Sequence, residues 1–187
     1  VQAAGCGVRK TQVFETEERS FYSININFII ELLLGEQNMP QIMKQLKRNF
    51  EQHNMAVFQV SNSQELLSLL NEFIQDGTTV GCGDSVTLEQ TGVFDYLRKR
   101  DITFLDKYQP GLSHEDKRAI YLRNFAADTF ITGSNAITMD GKIFNIDGNG
   151  SRVAPMIYGP EQVIIVVGTN KITENVDEAI KRDRQIA

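Results

Sequence analysis

The sequence predicts an α/β fold: an open, mostly parallel sheet flanked by helices, with a small antiparallel hairpin. Three observations predict it. Strand-like and helix-like patterns alternate from Met39 onward, which is the signature of a layered fold with right-handed crossovers. Val163-Ile-Ile-Val-Val167 is a run of five β-branched residues, expected of a strand covered on both faces of a parallel sheet. Asp140-Gly141 separates two short apolar runs, the pattern of a tight hairpin turn.

The elements follow in order. Ile42, Met43, Leu46 and Phe50 recur at helical spacing, so a helix ends near His53, and Met55–Val60 reads as a strand. Ser61-Asn-Ser-Gln64 reads as a capping box before a helix with Leu66, Leu67, Leu70, Phe73 and Ile74 on one face, stopped by Gly77. Thr78–Gly81 is strand-like, and Thr87-Leu-Glu-Gln90 predicts a capped helix reaching about Arg100. Ile102–Leu105 is a strand, Pro110-Gly111 a turn, and Ser113 with Asp116 caps a helix to about Ala126. Asp128–Thr132 is a strand, and the hairpin joins Ala136–Met139 to Lys142–Ile146. Gln162–Gly168 is the buried strand, and Thr173 is expected to open a last helix with Val176, Ala179 and Ile180 facing inward.

Residues 1–38 fit this alternation less well and read as an N-terminal extension to a domain spanning 39–187. Tyr22, Ile24, Ile26, Phe28 and Ile30 alternate with period two, favouring a strand, while Phe28–Leu34 is also compatible with a helix. A bare apolar strand invites aggregation, so this one must pack on the domain or on a second subunit, a homodimer contact being favoured.

Composition narrows the function classes. The chain of 187 residues is 41% hydrophobic and 23% charged, with four prolines, as in a globular domain. Its net charge of -5 argues against nonspecific binding to nucleic acid or to an anionic membrane. The longest apolar stretch, Ile24–Leu34, is too short to span a bilayer, which needs about 20 residues. Two cysteines, Cys6 and Cys82, and two histidines, His53 and His114, are too few and too scattered for a disulfide framework, an iron–sulfur cluster or a metal centre. This cysteine usage suits a reducing cytoplasm. Nothing in the residues names a cofactor.

Ligands of open α/β sheets bind beyond the carboxyl ends of the strands, and three polar, glycine-rich segments fall at such places. In Gly81-Cys-Gly-Asp-Ser-Val-Thr87, Gly81 and Gly83 would let a ligand approach the backbone. Amides at the next helix start, with Asp84, Ser85 and Thr87, would hold a phosphate or carboxylate; the alternative is a capped strand-to-helix turn. Gly133, Ser134 and Asn135 offer donors at the same edge, or simply form a turn. In Asn145-Ile-Asp-Gly-Asn-Gly-Ser-Arg152, Asp147 suits a general base and Arg152 a bidentate anion clamp, unless Asp147 caps the next helix and pairs with Arg152. Gly168-Thr-Asn170-Lys171, after the buried strand, is a further edge candidate with Asn170 as its ligand-binding residue, although a strand-to-helix connector is the slightly favoured reading. Glu89 is a second candidate carboxylate for proton transfer, or a first-turn residue suited to the helix dipole. Cys82 reads better as a packed thiol than as a nucleophile. Tyr108-Gln-Pro-Gly111 reads by default as an ordinary connection, with a lid over the strand ends as the alternative.

Together, Val80-Gly-Cys-Gly-Asp-Ser-Val-Thr-Leu-Glu-Gln-Thr-Gly92, Tyr108-Gln-Pro-Gly-Leu-Ser113, Thr132-Gly-Ser-Asn-Ala-Ile-Thr138, Asn145-Ile-Asp-Gly-Asn-Gly-Ser-Arg152 and Val167-Gly-Thr-Asn-Lys-Ile172 resemble the LUD domain. This is the lactate-utilisation family whose single-domain members are similar to lactate utilisation protein C. The resemblance implies a fold similar to sugar-phosphate isomerases and CoA transferases. It further implies a role beside iron–sulfur subunits in bacterial oxidation of L-lactate to pyruvate. It marks Gly81–Thr87 as the anion-binding element, with Asn135, Asp147, Asn149 and Arg152 as companions. The expected ligand is a small anionic metabolite or nucleotide. Two other readings stay open: a stand-alone enzyme on a sugar-phosphate, acyl-CoA or folate-type substrate, and a non-catalytic assembly subunit.

Overall fold

The computed structural model describes residues 25–31 and 39–186. Six parallel strands form one sheet, in the order β2-β1-β8-β5-β3-β4. They are β1 (Asn25–Glu31), β2 (Met55–Val60), β3 (Thr79–Cys82), β4 (Thr103–Phe104), β5 (Thr129–Thr132) and β8 (Gln162–Gly168). The stretch that alternates with period two thus contains a strand, whose backbone pairs with β2 on one side and β8 on the other. The rest of residues 1–38, including Cys6 and the Tyr22 and Ile24 positions of that stretch, lies outside the described residues. The chain winds outward in both directions, from β1 to β2 and from β3 to β4, and this opens a crevice at the carboxyl ends of the strands between.

The β-branched run behaves as a doubly covered strand should. Ile164 and Val166 of β8 pack on one face with Leu66, Leu70, Leu88 and Leu97. Val163, Ile165 and Val167 pack on the other with Met43, Leu46, Phe50 and Met156. The first face is covered by α2 (Ser63–Phe73), α3 (Val86–Gln90) and α4 (Val93–Leu97), the second by α1 (Met39–Glu51) and α6 (Val153–Ile157). Each fully buried Leu or Ile contributes about 1.5–3 kcal/mol. The helix α5 (His114–Arg123) buries none of its residues and is held at its start by a capping box between Ser113 and Asp116.

Beyond the ends of β5 and β8 lies a second, three-stranded sheet in the order β7-β6-β9. Its strands β6 (Ala136–Thr138) and β7 (Ile143–Phe144) are the antiparallel hairpin, and β9 (Ile172–Thr173) joins β6 in parallel. The Asp140 carboxylate closes the hairpin by accepting from the Thr138 hydroxyl and the Lys142 ammonium. Asn49 of α1 donates to the Met139 carbonyl at 2.6 Å and ties the hairpin down. Because β6 follows β5 and β9 follows β8, the linking segments 133–135 and 169–171, the second a single 3-10 turn, lie side by side at the mouth of the main sheet.

Four local expectations are corrected. The α2 cap is Asn62, whose side chain accepts from Glu65 N–H at 2.9 Å, not the Ser61–Gln64 box; Glu65 in turn accepts from Ser61 N–H. The next cap is Ser85 rather than Thr87, with its Oγ accepting from Leu88 N–H at 3.2 Å. The helix expected to reach Arg100 is broken into α3 and α4 by Gly92, at φ +74°. Thr173 ends β9 instead of opening a helix, and the last helix, α7, runs Val176–Ile186.

Candidate functional site

The segments after β3, β5 and β8 meet in one cleft of about 510 Å³, within the range of small-ligand sites. Of the residues singled out in the sequence, Asp84, Ser85, Thr87, Gly133, Ser134, Asn135, Arg152 and Asn170 line it. Val86, Gln90, Lys171 and three α7 residues, Arg182, Asp183 and Ile186, make up the rest of the lining. Lys171 closes the segment that holds Asn170, and its sequence signal was a cation three residues past a strand end. The α7 residues carried no signal, since charged positions on a terminal amphipathic helix read as a solvated face.

Arg152 organises the floor. Its residue is 9% exposed, and its terminal nitrogens donate to Asn145 Oδ1 and Asn135 Oδ1 at 2.6 Å and to the Ile146 carbonyl at 2.9 Å, with a longer contact to the Gly133 carbonyl. These acceptors are all neutral, so the cationic charge is fixed in place but not cancelled. The fork expected to clamp an anion in bidentate fashion is therefore already occupied by the protein, and the Nε edge is what it leaves over. Asn135 is a junction: its carboxamide also donates to Asp183 Oδ1 at 2.6 Å, and its carbonyl accepts from Arg182 Nη1 at 2.8 Å.

The opposite wall is polar in a different way. The Lys171 ammonium donates to Thr87 Oγ1 at 2.9 Å. Burial, with Arg182 and Arg152 nearby, holds its pKa below the usual lysine range. Asp84 is paired with the buried Lys107 at 2.8 Å and accepts from the Tyr108 hydroxyl at 2.9 Å. Burial raises the Asp84 pKa, but these two partners and the Arg152 charge outweigh it and leave the carboxyl below its ordinary range. The Tyr108 loop thus fastens to the cleft rim through Asp84.

Other candidates lie elsewhere. Gly81 and Gly83 are buried under packing: a Cβ on Gly81 would meet the Asn124 side chain, and one on Gly83 would fall on Thr132 and Arg152. Their small size serves internal contacts. Asp147 accepts from the backbone N–H groups of Arg152 at 2.9 Å, Val153 at 3.0 Å and Asn149 at 3.5 Å. Burial pulls its pKa upward, yet those N–H groups hold it below the ordinary carboxylate range, the state of a helix cap rather than of a base. Asn149 is exposed and accepts from Ser151 N–H. Glu89 lines a separate, smaller cavity with Phe94, Asp95, Arg98 and Tyr108. Cys82 is 1% exposed, and burial pushes its thiol up to about 12, so it packs and does not attack. Among the described residues, no cluster of His, Cys, Asp and Glu is placed to hold a metal ion, and no helix is long and apolar enough to cross a membrane.

Asp147→Ala should cost about 1 kcal/mol of stability at pH 7 through the lost cap. A depressed pKa adds stability above the unfolded value and loses it as pH falls through the folded one, so the difference between the thermal melts of variant and wild type should shrink as pH falls below the ordinary carboxylate range. Equal melting at pH 7 would remove the capping role.

A parallel α/β sheet with a ligand-sized, cation-bearing cleft past its central strands defines the general class. Residues 43–187 match the family model of the LUD domain, and the chain belongs to that family. The domain is associated with lactate-utilisation proteins. No curated protein and no solved structure matches the chain.

Proposed function

We propose that this protein serves lactate utilisation by holding a small anionic metabolite or nucleotide in the cleft beyond β3, β5 and β8, beside iron–sulfur subunits. The observation that carries this reading is the convergence of Arg152, Lys171 and Arg182 on one cleft, each bonded to neutral oxygens. The positive character comes from side chains on three separate segments; α3, five residues long, adds little dipole. The test is a thermal-shift screen of phosphorylated metabolites, nucleotides, CoA esters and short hydroxy acids. A ligand at 100 times its Kd should stabilise the protein by about 2.7 kcal/mol, or roughly 5–10 °C for a chain of this size. Failure of every anion to shift the melt would defeat the reading.

A second reading, a non-catalytic assembly subunit, draws support from the acid–base candidates. Asp147 is engaged as a cap, Cys82 is sealed in the core, and Glu89 faces a different cavity. Co-purification with iron–sulfur proteins, together with no turnover by the isolated chain, would favour it.

A further inference from the structure

The charges lining the cleft do not balance. Asp84 is compensated by Lys107. That leaves Asp183 against Arg152, Lys171 and Arg182, and among the described residues none of these three cations has a carboxylate within ion-pair distance. The three are also close together. Arg152 and Arg182 both bond to Asn135, and Arg182 Nε donates to the carbonyl of Asn170, the residue before Lys171. Gathering like charges in a partly buried cleft is unfavourable. A chain of net charge -5 has carboxylates to spare, yet among the described residues only Asp183 faces them uncompensated from the cleft lining; Asp147, which feels the Arg152 charge, lies outside that lining and is engaged by three backbone N–H groups.

We propose that the cleft is built for a compact dianion of the phosphate-monoester class, rather than for a monocarboxylate such as lactate. The inference rests on the reading of the cleft as an anion site and adds the ligand's charge and form. Three cations less one carboxylate leave an excess of two positive charges, which a phosphate monoester at neutral pH nearly cancels. A monocarboxylate would leave half of it standing. The free donors suit a compact group: among the described residues the Lys171 ammonium gives one of its three N–H bonds, to Thr87, and Arg182 Nη2 has no hydrogen-bond partner. Arg152 supplies fixed charge behind them. The remaining volume accommodates an organic body larger than lactate. Burial and the two arginines disfavour the Lys171 charge, and a bound dianion would relieve this.

The experiment measures Kd by calorimetry for AMP, ribose 5-phosphate, inorganic phosphate, malonate and L-lactate, on the full chain and on K171M and R182Q. AMP or ribose 5-phosphate should bind at least about 10-fold more tightly than L-lactate, and each variant should weaken that binding by about 10-fold or more while melting near wild type. L-lactate binding as tightly as the phosphates, and weakened by the same variants, would overturn the dianion while leaving the anion cleft standing. Malonate binding more tightly than both phosphate esters would overturn the phosphate class in favour of a dicarboxylate. Absence of binding by all five, or binding indifferent to both substitutions, would overturn this inference and the cleft reading together.

Discussion

Arg152→Ala is expected to lose about 3 kcal/mol of stability and, with it, the thermal shift given by any anionic ligand of the cleft. The two losses have different origins. Truncation leaves the side-chain oxygens of Asn135 and Asn145 and the carbonyl of Ile146 without their donor in a part-buried site. Removing an uncompensated cation offsets a fraction of that cost, so the net falls short of the sum of the bonds. For a chain of this size the melting temperature should fall by roughly 6–12 °C. Arg152→Lys separates the effects: it keeps the charge and loses the planar fork. It should melt almost as low as the alanine variant yet recover part of the ligand shift. An alanine variant with both the melt and the shift unchanged would remove Arg152 from the site and from the fold's framework.

Gly83→Ala should be nearly as damaging, by about 2–3 kcal/mol. The added methyl would fall on Thr132 Oγ1 and lie 2.9 Å from both Thr132 Cβ and Arg152 Cγ. Thr132 is fully buried and β-branched, so it has no open rotamer to retreat to. Relief must come from moving Arg152, which couples the turn to the cleft, so anion binding should weaken as well. Gly148→Ala provides the contrast. A methyl there meets nothing within 4 Å, and the backbone does not occupy the left-handed region. Its melt should stay within about 0.5 kcal/mol of wild type. Equal behaviour of the two variants in thermal melts would contradict the packing account of Gly83.

That contrast also separates what could be read early from what could not. The bounds of β2 and β8, the Asp140-Gly141 hairpin and the Ser113–Asp116 cap follow from patterns spanning a few residues, and the structure carries them. The caps at Asn62 and Ser85 were displaced by one or two positions because neighbouring Ser, Asn and Thr compete on nearly equal terms for the same N–H groups. The glycines of the first loop were legible as special, but the reason was not. The atoms that forbid a side chain at Gly81 and Gly83 belong to Asn124, Phe130, Thr132 and Arg152, more than 40 residues further along.

By itself, then, the sequence determined the succession of strands and helices, the two-faced burial of β8, and which strand ends carry polar turns. These depend on side-chain periodicity and backbone preference, which act over a turn of helix or a pair of strand residues. The tertiary structure alone decided that Arg152, Lys171 and Arg182 share one cleft while Glu89 faces another cavity and Asp147 serves the backbone. Those outcomes depend on contacts such as Lys171 with Thr87 and Arg182 with Asn135, between segments 84 and 47 residues apart, and only the winding of the sheet brings them together.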